Sequence, residues 1–314
     1  MPRYASIDIG TQTIRLLIAD FDSFGNLIPV YRDRAIIRLG EGMTANNCLQ
    51  ERPVERALTC IISFINIAHQ YEAQKIFAVA TSCVREAQNG KDFIETVYRE
   101  TGVAVRLLSG DEEAGLSLRG VRSVFQDNQG HALIIDIGGG STELILTNGG
   151  TVELMESLPL GVVHLSEKYF HNDPPLPKEL SNLINEIKFI LTTNCNTYNN
   201  IQNRGINNLR LIGTAGTVTT LAAMDLKLTE YDIEKINGCL LTRDKLEHIY
   251  DTIILISSNI RKYYPGLEPG REVVIIAGTR ILLSIMDLFL LKEISVSDAG
   301  LLEGILLQSI GVIA

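Results

Sequence analysis

A short sequence, Asp8-Ile9-Gly10, returns as Asp136-Ile137-Gly138, and each copy stands between two apolar runs. At the same offset Thr13 matches Ser141 and Leu16 matches Leu144. A repeat this long marks a duplicated domain rather than a solenoid of small units. Each copy reads as strand, small polar turn, strand: residues 5–9, 10–13 and 14–19, then 132–137, 138–142 and 143–147. Asn148-Gly149-Gly150 signals a further hairpin before 151–157.

Around these hairpins the periods alternate. Apolar residues at 54, 58, 61, 62 and 65 predict a helix over 52–71. A strand over 76–80, a helix over 84–100 stopped by Gly102, a strand over 103–108 and a helix opening at Ser109-Gly110-Asp111 follow. The second half predicts helices over 162–171, 178–193, 243–257 and 273–291, strands over 209–212 and 294–297, and a last helix from Gly300. The Asn-rich stretch 194–208 reads as a surface loop. Alternating strands and helices give an α/β fold. Two domains fit a chain of 314 residues. The first is expected over 1–125 and the second over 126–299, with the helix over 300–314 a candidate to complete the first.

Composition narrows the function. Lys and Arg number 28 against 37 Asp and Glu, a net charge of −9, which argues against nucleic acid held by bulk charge. The five cysteines are scattered, odd in number and outside any CxxC pair. That excludes a disulfide framework and a zinc site, and fits a reducing compartment such as the cytoplasm. The N-terminus runs straight into a strand pattern without a signal-peptide profile. The most apolar stretch, 273–291, holds Arg280 and Asp287 and reads as a buried helix rather than a membrane span.

Three loops share one character, a strand followed by glycine with Ser or Thr: 8–13, 136–142 and 213–217. Glycine lets the backbone come close to a ligand, and successive N–H groups form an anion-binding concavity. The candidate phosphate ligands are Gly10, Thr11 and Thr13, then Gly138, Gly139, Gly140, Ser141 and Thr142, then Gly213, Thr214, Gly216 and Thr217. None of the loops is a Walker A sequence or a clean GxGxxG. Asp111, Glu112 and Glu113 begin a helix, where the dipole favours carboxylates whatever their role. The histidines are isolated, and Cys83 has no partner for a thiolate mechanism.

The segments DIGTQTIRLLIAD, ATSCVREAQNG, LLSGDEEAGLSLRGV, IDIGGGSTELIL, LPLGVVHLSE, IGTAGTVTTLAA, YPGLEPGREVVIIAG and VSDAGLLEGI resemble the ordered motifs of the exopolyphosphatase and guanosine pentaphosphate phosphatase family. They cover residues 5 to about 305. The resemblance implies two actin-like, ribonuclease H-like domains with mixed sheets flanked by helices and a cleft between them. It implies hydrolysis of the terminal phosphoanhydride of inorganic polyphosphate. The alternative is guanosine pentaphosphate. An ATP-dependent small-molecule kinase and a non-catalytic alarmone sensor are weaker rivals.

The resemblance also implies magnesium or another divalent cation, with Asp136 and Glu143 as ligands and Asp8 in the same network. It makes Glu113 the base for water, since it stands immediately before Ala114 in SGDEEAG, and Arg15 and Arg85 the phosphate ligands. Arg119, Arg122, Arg261, Lys262 and Arg271 are candidates for a wider polyanion path. Two departures stand out: Leu302 where the family usually has Arg, and Asn237 where it has His or Asn. The resemblance does not decide between polyphosphate and the nucleotide, and the sequence leaves the oligomeric state, a homodimer included, open.

Overall fold

A computed structural model describes residues 1–43, 46–125, 130–206 and 208–311. Residue 126 at the expected boundary, Asn207 of the expected loop and 312–314 of the expected last helix lie outside the described residues. Contacts within the chain separate two compact units, Met1–Ser123 with Gly300–Ala314, and Val124–Ala299.

The first unit runs β1 Arg3–Ile9, β2 Thr13–Phe21, β3 Leu27–Ile36, α1 Glu51–Gln70, β4 Lys75–Ala80, α2 Ser82–Glu86, α3 Gly90–Thr101, β5 Val105–Leu107 and α4 Gly110–Arg122. The second runs β6 His131–Ile137, β7 Thr142–Asn148, β8 Thr151–Leu158, α5 Val162–Tyr169, α6 Pro177–Thr193, α7 Asn196–Arg204, β9 Leu209–Thr214, α8 Ala215–Asp225, α9 Ile233–Ile236, β10 Leu240–Thr242, α10 Arg243–Ile253, α11 Ser258–Arg261, α12 Ile275–Leu288 and β11 Glu293–Val296. The chain returns to the first unit as α13 Leu301–Ser309.

The first sheet has the order β3-β2-β1-β4-β5, with β1, β2 and β3 antiparallel and β4 and β5 parallel to β1. In the second, β8-β7-β6-β9-β11 repeats that order and those senses, and β10 adds an antiparallel edge. The duplication read from a handful of residues is therefore a duplication of topology. Two mixed sheets flanked by helices are the architecture the resemblance called for.

Each sheet buries both faces. In the first unit Ile7, Ile9, Ile14 and Leu16 pack against α1 and α3, while Leu17, Ala19 and Phe21 on the opposite face pack against Leu302, Leu306 and Leu307 of α13. Leu302, the departure from the family pattern, is thus a core side chain. α13 approaches α4 backbone to backbone. A Cβ at Gly120 would stand 1.8 Å from the Gly300 carbonyl oxygen, and one at Gly304 would stand 1.9 Å from that of Leu116. Only glycine allows that approach. The apolar stretch over 273–291 folds as the buried helix expected, α12, with Arg280 donating to Asp287 at 2.9 Å. No helix among the described residues is long and apolar enough to cross a membrane.

Two local expectations fail. The helix expected over 84–100 is broken into α2 and α3. Asn89 exchanges two hydrogen bonds with the backbone of Leu49, and Gly90 sits where a Cβ would be 2.0 Å from the Val84 carbonyl oxygen. The stretch expected as a loop over 194–208 contains α7. Glu156 accepts from the N–H groups of Asn196 and Thr197 at the start of that helix, and Gly205 ends it in the left-handed conformation. In α1, Ile62 lies exposed, and the buried stripe is Ala57, Ile61, Phe64, Ile65 and Ala68.

Candidate active site

The two hairpin loops close in the same way. Gly10 N–H donates to the Thr13 carbonyl at 3.1 Å, and Gly138 N–H to the Ser141 carbonyl at 2.9 Å. The register then places Asp8 opposite Arg15, and Asp136 opposite Glu143. The duplicated position thus carries a cation in one copy and an anion in the other.

In the first unit Arg15 donates Nε and Nη2 to Asp8 Oδ2, at 3.0 and 2.6 Å. Asp8 Oδ1 is buried and receives no hydrogen bond. The Thr11 hydroxyl lies 3.0 Å from Ser82 Oγ, which ties the loop to the start of α2. Arg85, on α2, reaches α4. Its Nη1 donates to the Leu108 carbonyl at 2.8 Å and to Glu113 Oε2 at 3.2 Å. Glu113 is buried, whereas Glu112 is spent elsewhere. Glu112 Oε2 accepts from Ser109 N–H at 2.8 Å and Oε1 pairs with Arg106, while Ser109 Oγ caps the Glu112 N–H. This capping box fixes the first turn of α4 and turns Glu113 toward Arg85.

In the second unit the glycine loop rests on α5. Val162 and Val163 N–H donate to the carbonyls of Gly138 and Gly139, and a Cβ at Gly161 would fall 2.2 Å from the Gly140 carbonyl carbon. The Gly138 and Gly139 carbonyls are engaged by α5, and among the described residues no backbone carbonyl takes the N–H of Gly139 or Gly140. Two neighbouring backbone donors of this kind form an anion-binding concavity. Several hydroxyl protons in these loops are committed: Ser141 to Glu143, Thr142 to the Leu160 carbonyl, Thr217 to the Ile137 carbonyl and Thr214 to the Ala299 carbonyl. Gly213 packs against Ile294 and Val218, and Gly216 lies under the Arg271 guanidinium, with 2.4 Å from a built Cβ to Nη2.

The model of the Ppx/GppA phosphatase family matches residues 17–312. The chain belongs to that family. It is 37% identical over 314 residues to the bifunctional 3-dehydroquinate synthase/phosphatase of Fusobacterium nucleatum, covering 98% of this chain but 46% of that protein. It is 29% identical to exopolyphosphatase 2 of Mycobacterium tuberculosis, over 99% of both chains. The solved structure of the Aquifex aeolicus Ppx/GppA family member superposes with a TM-score of 0.78 at 30% identity, covering 98% of this chain and 97% of that one.

For a Ppx/GppA member that needs a divalent cation, the donor set fits. Asp136 and Glu143 are directly opposed on adjacent strands, which brings their Cβ atoms to roughly 4.5–5.5 Å. No cluster of three or more His, Cys, Asp or Glu forms a closed cage among the described residues. Magnesium suits this arrangement, because it binds through one or two carboxylates and completes its shell with water and substrate phosphate.

The polyanion candidates divide. Arg261 is buried and held by three carbonyls and a carboxylate: Nε donates to Ile253 at 2.9 Å, Nη2 to Ile256 at 2.6 Å and Nη1 to Glu272, with Asp173 3.6 Å from Nη2. It holds the end of α10 and is removed from any polyanion path. Lys262 lies over the Tyr263 ring. Arg119 and Arg122 stand in the last turn of α4, away from Glu113 in its first turn. Burial pushes the Cys83 thiol up to about 12, so it packs and does not attack. Asn237 accepts from the Asp298 N–H at 2.7 Å. Sequence reasoning missed Ala215, whose φ of +67° at the start of α8 is strained for an L residue. Its place beside a glycine loop was the available signal.

Proposed function

We propose that this chain is an exopolyphosphatase that hydrolyses the terminal phosphoanhydride bond of inorganic polyphosphate and releases orthophosphate. The observation that carries the reading is Glu113, a buried carboxylate held against Arg85 while its neighbour is spent on a cap. The full-length likeness to a protein named exopolyphosphatase 2 supports it.

In this reading Arg85 and Arg15 meet phosphate oxygens, for which guanidinium offers a bidentate fork. The N–H groups of Gly139 and Gly140 bind another phosphate oxygen. Glu113 orients a water and takes its proton as the water oxygen bonds to the terminal phosphorus. The bridging P–O bond breaks, the shortened chain leaves on that oxygen, and Glu113 passes the proton to solvent. A divalent cation, when bound through Asp136 and Glu143 with Asp8 in the network, supplies neutralisation of phosphate charge. The proposed cation is magnesium. The proposed compartment is the cytoplasm, on the five free and scattered cysteines.

The test is phosphate release from short and long polyphosphate, with magnesium present or chelated, beside guanosine pentaphosphate. Magnesium-dependent release from polyphosphate is expected. The Glu113→Gln variant should lose about 10²–10⁴-fold in turnover, the range for a removed general base, while its thermal unfolding stays near that of the parent. Release from the nucleotide alone would move the substrate to guanosine pentaphosphate. Unchanged turnover in Glu113→Gln would remove the base.

A further inference from the structure

The first sheet is open where β4 begins. β5 spans Val105–Leu107 and pairs with Ala78, Val79 and Ala80, so Lys75, Ile76 and Phe77 have no strand beside them on that edge. A groove of about 470 Å³ fills the gap, walled by both strands, α4 and α13. That volume lies in the range of small-molecule sites, roughly 300–1,000 Å³. The groove stands apart from the candidate active site. Ala80 pairs with Ile9, next to the Gly10 loop, whereas Lys75 pairs with Tyr4 at the other end of the strand. The steps from Lys75 to Ala80, at about 3.3 Å each, separate the two ends by about 16 Å.

Alternation puts Lys75, Phe77 and Val79 on one face of β4. Phe77 and Val79 pack there with Leu116 of α4 and Ile305 of α13, which makes an apolar floor. Lys75 Nζ stands 4.8 Å from the centroid of the Phe77 ring. Arg106, opposite Val79, lies on the same face, where it pairs with Glu112 and donates to Gln308 Oε1 at 3.4 Å. Glu112 stands outside the lining. Among the described residues the groove is lined by Lys75 and Arg106 and by no Asp or Glu.

The second unit shows which part of this is topology. β9 and β11 hold the places of β4 and β5, pair at Ile212 and Gly213, and leave a groove of about 450 Å³. Its lining mixes Arg210 and Lys292 with Glu293. The gap therefore comes with the fold, and the cationic lining without a carboxylate belongs to the first unit. A cleft lined by one sign of charge concentrates ligands of the other sign. With an apolar floor beneath the charges, that ligand is an anion that carries hydrocarbon.

We propose that this groove binds a small organic anion, its apolar body on Phe77, Leu116 and Ile305 and its negative head between Lys75 and Arg106. The site takes no part in phosphoanhydride hydrolysis and does not depend on that reading.

The probe is anilinonaphthalene sulfonate, an aromatic body with a single anionic head, titrated by fluorescence into the folded full chain. Phenylnaphthylamine, the same body without the sulfonate, is titrated beside it. The variants are Lys75→Gln, Ala104→Phe and Lys91→Gln. Ala104 is an exposed lining residue, so the larger side chain fills the groove without entering the core. Lys91 is exposed on α3, and its variant removes the same charge elsewhere. The parent should bind the sulfonate at one saturable site and the uncharged compound about tenfold more weakly, the scale of one charge-assisted contact. Lys75→Gln should lose about tenfold in sulfonate affinity, with Lys91→Gln within about twofold of the parent. Ala104→Phe should abolish saturable binding. Absence of saturable binding in the parent, equal affinity for the two compounds, or an equal loss in Lys91→Gln overturns the proposal. So does parent-level sulfonate binding by Lys75→Gln or by a folded Ala104→Phe. If Ala104→Phe fails to fold, Lys75→Gln set against Lys91→Gln decides.

Discussion

Glu112 and Glu113 share a helix turn but not an environment. Glu112 is accessible to water, and its carboxyl is held below the usual Glu value, first by the Ser109 N–H bond and then by Arg106. A folded-state pKa below the unfolded one contributes stability that is fully present above the ordinary Glu value, about 4.3. That contribution is lost as pH falls through the lowered folded-state value. Gln at 112 keeps the accepting oxygen but cannot titrate. Glu112→Gln should therefore be less stable than the parent at neutral pH and lose less stability on acidification below about pH 5. Denaturant melts from pH 7 to pH 3 measure this, and parallel acid limbs would show that the cap is not the titrating element. Only the resemblance singled out Glu113 in the sequence; the residues themselves offered neighbouring first-turn carboxylates with nothing to choose between them. What separates them is Arg106 on one side and Arg85 on the other, and those partners meet only in the folded chain.

Elements were legible where their signal is local. The hairpins announced themselves by apolar runs around glycine, and the two closing bonds, Gly10 to Thr13 and Gly138 to Ser141, follow from those turns. The break at Asn89 was not legible, because its cause is Leu49. Helix α7 was hidden for the same reason. Its own sequence is polar, with Thr197 and Ile201 its buried residues, and its start is held by a carboxylate from β8. Glu156 also accepts from Cys195 Sγ at 3.1 Å. Glu156→Ala removes this charged anchor and should destabilise the helix by about 2 kcal/mol, the scale of hydrogen bonds to a charged group. Amide hydrogen exchange should accelerate over 196–204 while β6 and β9 stay protected. Unaltered exchange in α7 would place its stability in Thr197 and Ile201 instead.

At the scale of the whole chain, the duplication is one of topology with divided chemistry: Asp8 faces Arg15 in one copy, and Asp136 faces Glu143 in the other. The copies also differ in continuity, since the first unit takes its last helix from beyond the second. That helix puts Leu302, Leu306 and Leu307 against Leu17, Ala19 and Phe21, and Leu301 and Ile305 against Val79, Leu108 and Leu116. Burying each such side chain is worth roughly 1.5–3 kcal/mol, so together they rival the whole net stability of a domain, about 5–15 kcal/mol. Removing the helix would also leave Arg32 without Glu303. A chain ending at residue 299 should therefore lose the structure of its N-terminal unit, although the cut is made at the other end. Val124–Ala299 keeps its own sheet and core and should survive. Limited proteolysis reads this directly. Cleavage should spread through 1–123 and leave a resistant fragment close to 124–299. Protection of 1–123 in the shortened chain would mean that the first sheet closes its second face without α13.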